Sequence, residues 1–342
     1  MSPRNLSAKN KIPKLLNLKL KNKRIRQIYR EFSKSFNIEK NFIVAVSGGP
    51  DSLALAFLSK IYSIKKKLIA KFYIVDHKLR PESTNEAKQV VRILKKFKID
   101  VEILTWKGKK PTKNVQSLAR AERYRLLLSK CDKFKIKNIL LGHHQNDLIE
   151  NFFIRMLRGS GLKGLVSLDK ESRIGDKILF RPLLNQKKRD LEFVAKFVFN
   201  FYAEDPSNKE QKYQRVKVRK FLKDLEKEGL DERKFMKTIK NLKSSNDVVS
   251  FYAKENLNKN TYFSILENKI IINLEFFQQP YEVIFRAFSE SIKLINKKYY
   301  SVRGKKMDKI INDIENKRSF RVTLGGCIIE KVNQTVIISK EY

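Results

Sequence analysis

Residues 42–55 read FIVAVSGGPDSLAL. Five β-favouring apolar residues, Phe42 to Val46, stop at Ser47, Gly48, Gly49, Pro50, Asp51 and Ser52. An apolar helical pattern then starts with Leu53, Leu55, Ala56 and Leu58. The pattern predicts a strand, a tight glycine turn and a helix start, with hydroxyls and one acid at the junction. The first N–H groups of a helix lack intrahelical partners, and the helix dipole adds partial positive charge there. Glycines let a bulky anion approach that backbone closely. A lone Gly-Gly would be explained by an ordinary capped turn. The complete SGGPDS string is read here as an anion site.

Upstream, Ile25, Ile28, Tyr29, Phe32 and Phe36 recur at steps of three and four and predict one helical face. Downstream, apolar runs at 68–75, 101–106 and 138–141 alternate with helical patterns. One helix is expected to be capped by Ser83 or Thr84. A second runs over about 115–131, with Leu118, Ala119, Leu126 and Leu127 as its apolar side, and a third over about 146–157. This alternation predicts an α/β fold whose parallel sheet is covered on both faces. Ligands of such sheets bind outside the carboxyl ends of the strands, so the turns at Ser47, Asp76, Trp106 and Gly142 are expected on one edge. RGSGLKG at 158–164 matches GxGxxG but follows a helix instead of a strand. It is read as a substrate-contacting loop. A further strand is expected over 177–184 and a helix over 186–201, then a polar loop and a basic amphipathic stretch to 222. Lysine-rich helices follow to about 255, then a strand over 269–276, a helix over 281–295 and two strands around Gly325-Gly326. The expected divisions are a basic arm and helix (1–40), a catalytic domain (41–222), a helical connection (223–255) and a small α+β C-terminal domain (256–342).

With 342 residues and 42% hydrophobic side chains, the chain can bury more than one core. Its formal net charge of +39 points to a polyanionic partner, since Lys and Arg gain affinity by displacing counterions from phosphate. Only Cys131 and Cys327 occur, in no CxxC pair, which argues against a disulfide framework, a zinc site or an iron–sulfur cluster. The basic N-terminus lacks the apolar core of a secretory signal and is expected to be a flexible arm able to touch RNA. No apolar run approaches the roughly 20 residues that span a bilayer. The expectation is a cytoplasmic protein with no membrane partner.

The Walker pattern is absent, and SGGPDS resembles the PP-loop of the adenylating ATP pyrophosphatase superfamily. DHKLRPES at 76–83, ARAERY at 119–124, LGHHQNDLIEN at 141–151, RGSGLKGL at 158–165 and RPLL at 181–184 follow in order. Together they resemble the tRNA(Ile)-lysidine synthases over about residues 42–222, and more weakly to the TLGGC at 323–327. The resemblance implies a PP-loop (adenine-nucleotide alpha-hydrolase-like) catalytic domain and a C-terminal domain that binds tRNA. It implies ATP-dependent adenylation of the wobble cytidine of an isoleucine tRNA with a CAU anticodon. L-lysine then attacks, giving lysidine and AMP. It assigns ATP to Ser47, Gly48, Gly49, Pro50, Asp51, Ser52, Arg120, Arg123 and His143, with Asp51 suited to Mg²⁺. Asp147 and Glu150, three apart on a helix, are suited to holding the lysine ammonium and assisting its deprotonation. Arg158, Arg215 and Arg219 are assigned to tRNA, and Asp51, Arg123, Asp147, Glu150 and Arg215 to catalysis. The alternative for Asp147 and Glu150 is complementation of a helix dipole, and for the arginines a solvated helix face. The chain departs from the family pattern at Asn146, Asn151 and Val216. A homodimer is left open. A tRNA-thiolating PP-loop enzyme and a non-catalytic RNA-binding protein are the competing readings. The first needs cysteines for sulfur relay, and the second leaves the paired bases and acids without work.

Overall fold

In a computed structural model describing residues 12–108, 114–203, 214–296 and 304–341, β1 (Phe42–Val46) lies inside a six-stranded sheet. β2 (Ala70–Asp76) and β3 (Val101–Thr105) extend the sheet on one side, and β4 (Asn138–Leu140) pairs β1 on the other, all parallel. Beyond β4 lies a hairpin of β5 (Glu171–Ile174) and β6 (Lys177–Phe180), with β6 parallel to β4. The spatial order is β3-β2-β1-β4-β6-β5. Successive strands step outward from β1 to β3, and the chain then crosses back to place β4 at the far side of β1. The switch point, where open α/β sheets form their ligand crevice, therefore lies between the β1 and β4 turns, at their carboxyl ends. The expected strand over 177–184 stops at Phe180, because Pro182 has no N–H for a ladder and Arg181 turns inward. β5 went unread: its residues alternate between exposed and half-buried, and ESRI lacks an apolar run.

One face of this sheet is covered by α1 (Lys14–Leu20), α2 (Lys23–Ser35), α3 (Pro50–Lys65) and α4 (Ser83–Lys96). α5 (Val115–Phe134) covers the other. α1 was expected to belong to a flexible arm. Instead Leu16 and Leu20 are buried in the common core, and Lys19 Nζ donates to Phe197 O at 2.7 Å. Residues 1–11 of that arm, the loop at 109–113 and the polar loop at 204–213 lie outside the described residues. Phe32, Phe36, Phe42 and Tyr62 pack edge to face or tilted beneath β1. The buried Tyr62 hydroxyl stays satisfied by donating to Ile38 O and accepting from Ile38 N, at 3.1 and 3.2 Å. On α5 the buried side is Ala119, Leu127 and Cys131; Leu118, expected among them, is exposed. Further along come α6 (Gln145–Met156), the single turn α7 (Leu162–Leu165), α8 (Lys188–Phe199) and α9 (Gln214–Lys227).

The chain divides into two compact units, the first ending at Glu232 and the second beginning at Arg233. α10 (Glu232–Asn260) leads into a five-stranded antiparallel sheet of order β7-β8-β11-β10-β9. Its strands are β7 (Thr261–Ser264), β8 (Lys269–Asn273), β9 (Ser319–Leu324), β10 (Cys327–Val332) and β11 (Thr335–Lys340). Two strands were expected at the C-terminal end of this unit, and three are present. The second turn, at Asn333, uses an asparagine at φ +53° where the first uses Gly325 and Gly326. α11 (Tyr281–Asn296) and α12 (Gly304–Asn316) share one core with this sheet. Lys331, buried on β10, donates through Nζ to Ile314 O and Lys317 O at 2.6 and 2.7 Å, placing a cation on the carboxyl end of α12.

Candidate active site

The turn after β1 is held by its own hydroxyls. Ser52 Oγ donates to Gly49 O at 3.0 Å and accepts from Ser47 N and Ser47 Oγ at 3.0 and 3.2 Å. Ser52 is thereby committed to the shape of the turn, and its hydroxyl is not turned outward to a ligand. Gly48 sits at φ +86°, and a Cβ there would lie 2.8 Å from Val90 Cγ2. Its carbonyl accepts from Ala203 N at 3.0 Å. Pro50 opens α3, and Leu53 N is the amide that bonds back to Gly49 O, so the amides ahead of it have no partner one turn back in the helix.

Gly142, after β4, packs directly on this turn: a Cβ would lie 3.3 Å from Ser52 N and 3.4 Å from Asp51 C. His143 and His144 follow and introduce α6. His144 is buried, with Nε2 3.6 Å from Asp51 Oδ2 and 3.7 Å from Asp147 Oδ2. Burial opposes a charge on this ring, but its contact with Asp51 and the charges of Asp147, Asp51 and Glu150 outweigh that and raise its pKa above the usual histidine value. Burial likewise opposes ionisation of Asp147. His144, His143 and the His144 amide, which donates to Asp147 Oδ2 at 3.0 Å, nevertheless hold its pKa below the usual carboxylate value. Asp147 thus caps α6 while lying beside His144 and near Asp51, so the helix-cap reading holds for it. His143 is kept neutral, mainly by burial, and its Nδ1 is shielded without a partner.

α9 closes the site from the other side. Arg219 Nε donates to Glu150 Oε1 at 2.6 Å, while Glu150 Oε2 is buried with no partner. Arg215, one turn earlier, acts electrostatically on both His143 and Asp147. Phe221 packs edge-on against Phe153 of α6 at 5.8 Å, and Val218 and Leu222 are buried. The RGSGLKG loop is anchored here, with Arg158 donating to Gln214 Oε1 at 2.6 Å. Asn146, where the family pattern was expected to hold an acid, donates to Glu232 Oε1 and accepts from Lys188 N.

Arg120 and Arg123 act on different histidines. Arg120 stacks over Tyr124 and donates to its hydroxyl at 3.1 Å, with its charge felt at His143. Arg123 acts on His77, at the end of β2. His77 had been given no role. Both its ring nitrogens are shielded without partners, it packs edge-on against Trp106, and burial followed by Arg123 pushes its pKa down to about 4. Asp76 was also missed. Its carboxylate accepts from Lys78 N, Ser83 Oγ and Thr84 Oγ1 at 2.9, 2.8 and 2.6 Å. The two hydroxyls expected to cap α4 therefore brace the β2 turn instead. An acid followed by hydroxyls seven and eight residues later was the available signal.

Among the described residues no group of three or more His, Cys, Asp or Glu forms a metal-ligand set. Asp51 Oδ1 is buried and unpartnered, and one carboxylate suits an ion that takes its other ligands from phosphates and water. Cys131 and Cys327 are buried and form no disulfide; burial pushes the Cys131 thiol up to about 12.

A family model described as the PP-loop domain matches residues 18–226. The tRNA(Ile)-lysidine synthase of Wolbachia pipientis wMel is 35% identical over 87% of this chain and 70% of that protein. The protein of the same name from Orientia tsutsugamushi is 32% identical over 90% of this chain and 71% of its own length. The chain belongs to the tRNA(Ile)-lysidine synthase family of PP-loop proteins. Among solved structures, the U34-tRNA thiolase NcsA from Methanococcus maripaludis, with its [4Fe-4S] cluster, aligns with a TM-score of 0.52 at 18% identity. The alignment covers 64% of this chain and 79% of that one, and shows the shared fold. The lysidine synthase motifs of this chain, SGGPDS, GHHQND and the α9 arginines, are the segments that meet at the crevice.

Proposed function

We propose that this chain is an ATP-dependent ligase that converts the wobble cytidine of a CAU-anticodon isoleucine tRNA to lysidine. ATP adenylates the carbonyl oxygen of the cytidine and pyrophosphate leaves. The amino group of L-lysine then attacks the ring carbon, the carbon–oxygen bond breaks, and AMP departs with that oxygen while the amine loses a proton. The observation that supports this most directly is the packing of Gly142 on Asp51 and Ser52. It sets the carboxylate pair of α6 beside the phosphate turn.

In this reading Ser47, Gly48, Gly49 and the first amides of α3 receive the departing pyrophosphate, with Pro50 and Ser52 shaping the turn. Asp51 would hold Mg²⁺, which supplies charge neutralisation for the phosphates. Arg120, Arg123 and His143 line the nucleotide side. Asp147, kept ionised, holds the lysine ammonium; Glu150 Oε2, buried and unpartnered, takes its proton. Arg158, Arg215 and Arg219 meet tRNA phosphates, and the basic second unit adds further tRNA contacts. The reaction is placed in the cytoplasm, where ATP, lysine and tRNA are available. Cys131 is buried with its thiol pushed up to about 12, which does not suit a sulfur relay.

The test is incubation of the full chain with ATP, radiolabelled lysine and a transcript of the isoleucine tRNA bearing a CAU anticodon. Label is expected to precipitate with the tRNA only when ATP is present. Label left wholly in the supernatant would overturn the reading.

A further inference from the structure

The cation position between α6 and α9 is already filled by the protein. Arg219 donates to Glu150 at 2.6 Å, and its guanidinium also lies within electrostatic reach of Asp147 and Asp51. It therefore stands beside the two α6 carboxylates assigned above to lysine. Glu150 is 95% buried by its 5% exposure, yet only one of its two oxygens has a partner. A permanent structural pair between Arg and Glu would be expected to use both oxygens in the bidentate geometry that guanidinium favours. A single bond from Nε leaves the acceptor half used and open to a second cation.

We propose that Arg219 is a stand-in for the substrate: in the ligand-free chain it occupies the ammonium position on Glu150, and L-lysine binds by replacing it there. The displaced guanidinium is then available to a tRNA phosphate. A guanidinium pairs with a phosphate in the same forked geometry it would adopt with a carboxylate. Lysine entry and tRNA docking are thereby coupled, because each favours the same position of Arg219. This inference rests on the assignment of Glu150 to lysine made above. It adds a reason for lysine to be admitted after tRNA: an occupied position lowers apparent affinity by the fraction of time it is free.

The experiment is calorimetric titration of L-lysine into the full chain, with and without the tRNA transcript, for the parent, Arg219→Gln, and Glu150→Gln in both backgrounds. Without tRNA, Arg219→Gln is expected to bind lysine at least about tenfold more tightly than the parent, as removal of an internal competitor requires. Saturating transcript should tighten lysine binding to the parent by at least about fivefold and leave Arg219→Gln unchanged. Equal or weaker lysine binding by a folded Arg219→Gln would overturn the proposal. If that variant does not fold, the parent alone decides, and lysine affinity indifferent to transcript would overturn it. If Glu150→Gln has no effect on lysine binding in either background, the assignment of Glu150 itself is what fails. If Glu150→Gln weakens binding while Arg219→Gln does not tighten it, only the stand-in is wrong.

Discussion

Gly48 shows how much one residue can carry. At φ +86° any side chain is strained, and a Cβ would also collide with Val90. Gly48→Ala is expected to cost about 2–4 kcal/mol and to remove ATP binding, read by denaturant unfolding and nucleotide titration. Asp147→Asn keeps the shape but loses the charge that holds an ammonium. Its lysine transfer should fall about 100-fold with ATP affinity within about threefold of the parent, measured by steady-state kinetics in ATP and in lysine. His77 titrates the other way from a paired group. Its imidazole ionises near 6.5 when unfolded and only at about 4 in the fold. Between those values the unfolded chain takes up a proton that the folded chain refuses, so stability is full above about pH 6.5 and falls as the pH drops towards 4. Allowing for its partial exposure, the loss is about 1 kcal/mol. His77→Gln should flatten the urea midpoint across that window by a corresponding amount.

At the scale of elements, α9 depends on a short hydrophobic seam to keep its arginines in the site. Val218→Asp buries a charge in that seam, and is expected to release α9 while the sheet stays folded. Lysine transfer would be lost, ATP binding kept, and amide exchange accelerated over residues 214–227. In the second unit, Lys331→Met strips donors from two carbonyls at the end of α12, and should cost about 2 kcal/mol in chemical denaturation. Legibility in the sequence follows the same division. β1, β2 and β4 were readable from apolar runs and β3 from its β-branched residues, although only Leu104 of β3 is buried, and the glycine turn announced the switch from strand to helix. β5 and β7 were not, since ESRI and TYFS bury none of their side chains fully and carry no long apolar run. The site was legible where a motif carries its own geometry, as in SGGPDS and the i, i+3 pair on α6. It was not legible where a side chain's partner lies far along the chain. Nothing near Arg219 names Glu150.

For the whole molecule, charge is the dominant property. A net +39 spread over both units should make tRNA binding fall steeply with salt, each neutralised phosphate contributing about 0.9 to the logarithmic slope, while ATP binding changes far less. Parallel titrations between low and physiological salt would show it, and equal slopes for both ligands would count against the tRNA assignment. The pairing of Glu150 with Arg219 spans 69 positions. This separation has a consequence for synthesis of the protein. A nascent chain can lay down every strand of the first sheet before α9 has been translated, and at that stage the glycine turn can form while Glu150 of α6 still lacks Arg219. Domains fold as units from the N-terminus while the ribosome works. Order of translation therefore separates formation of the glycine turn from completion of the α6–α9 side of the site.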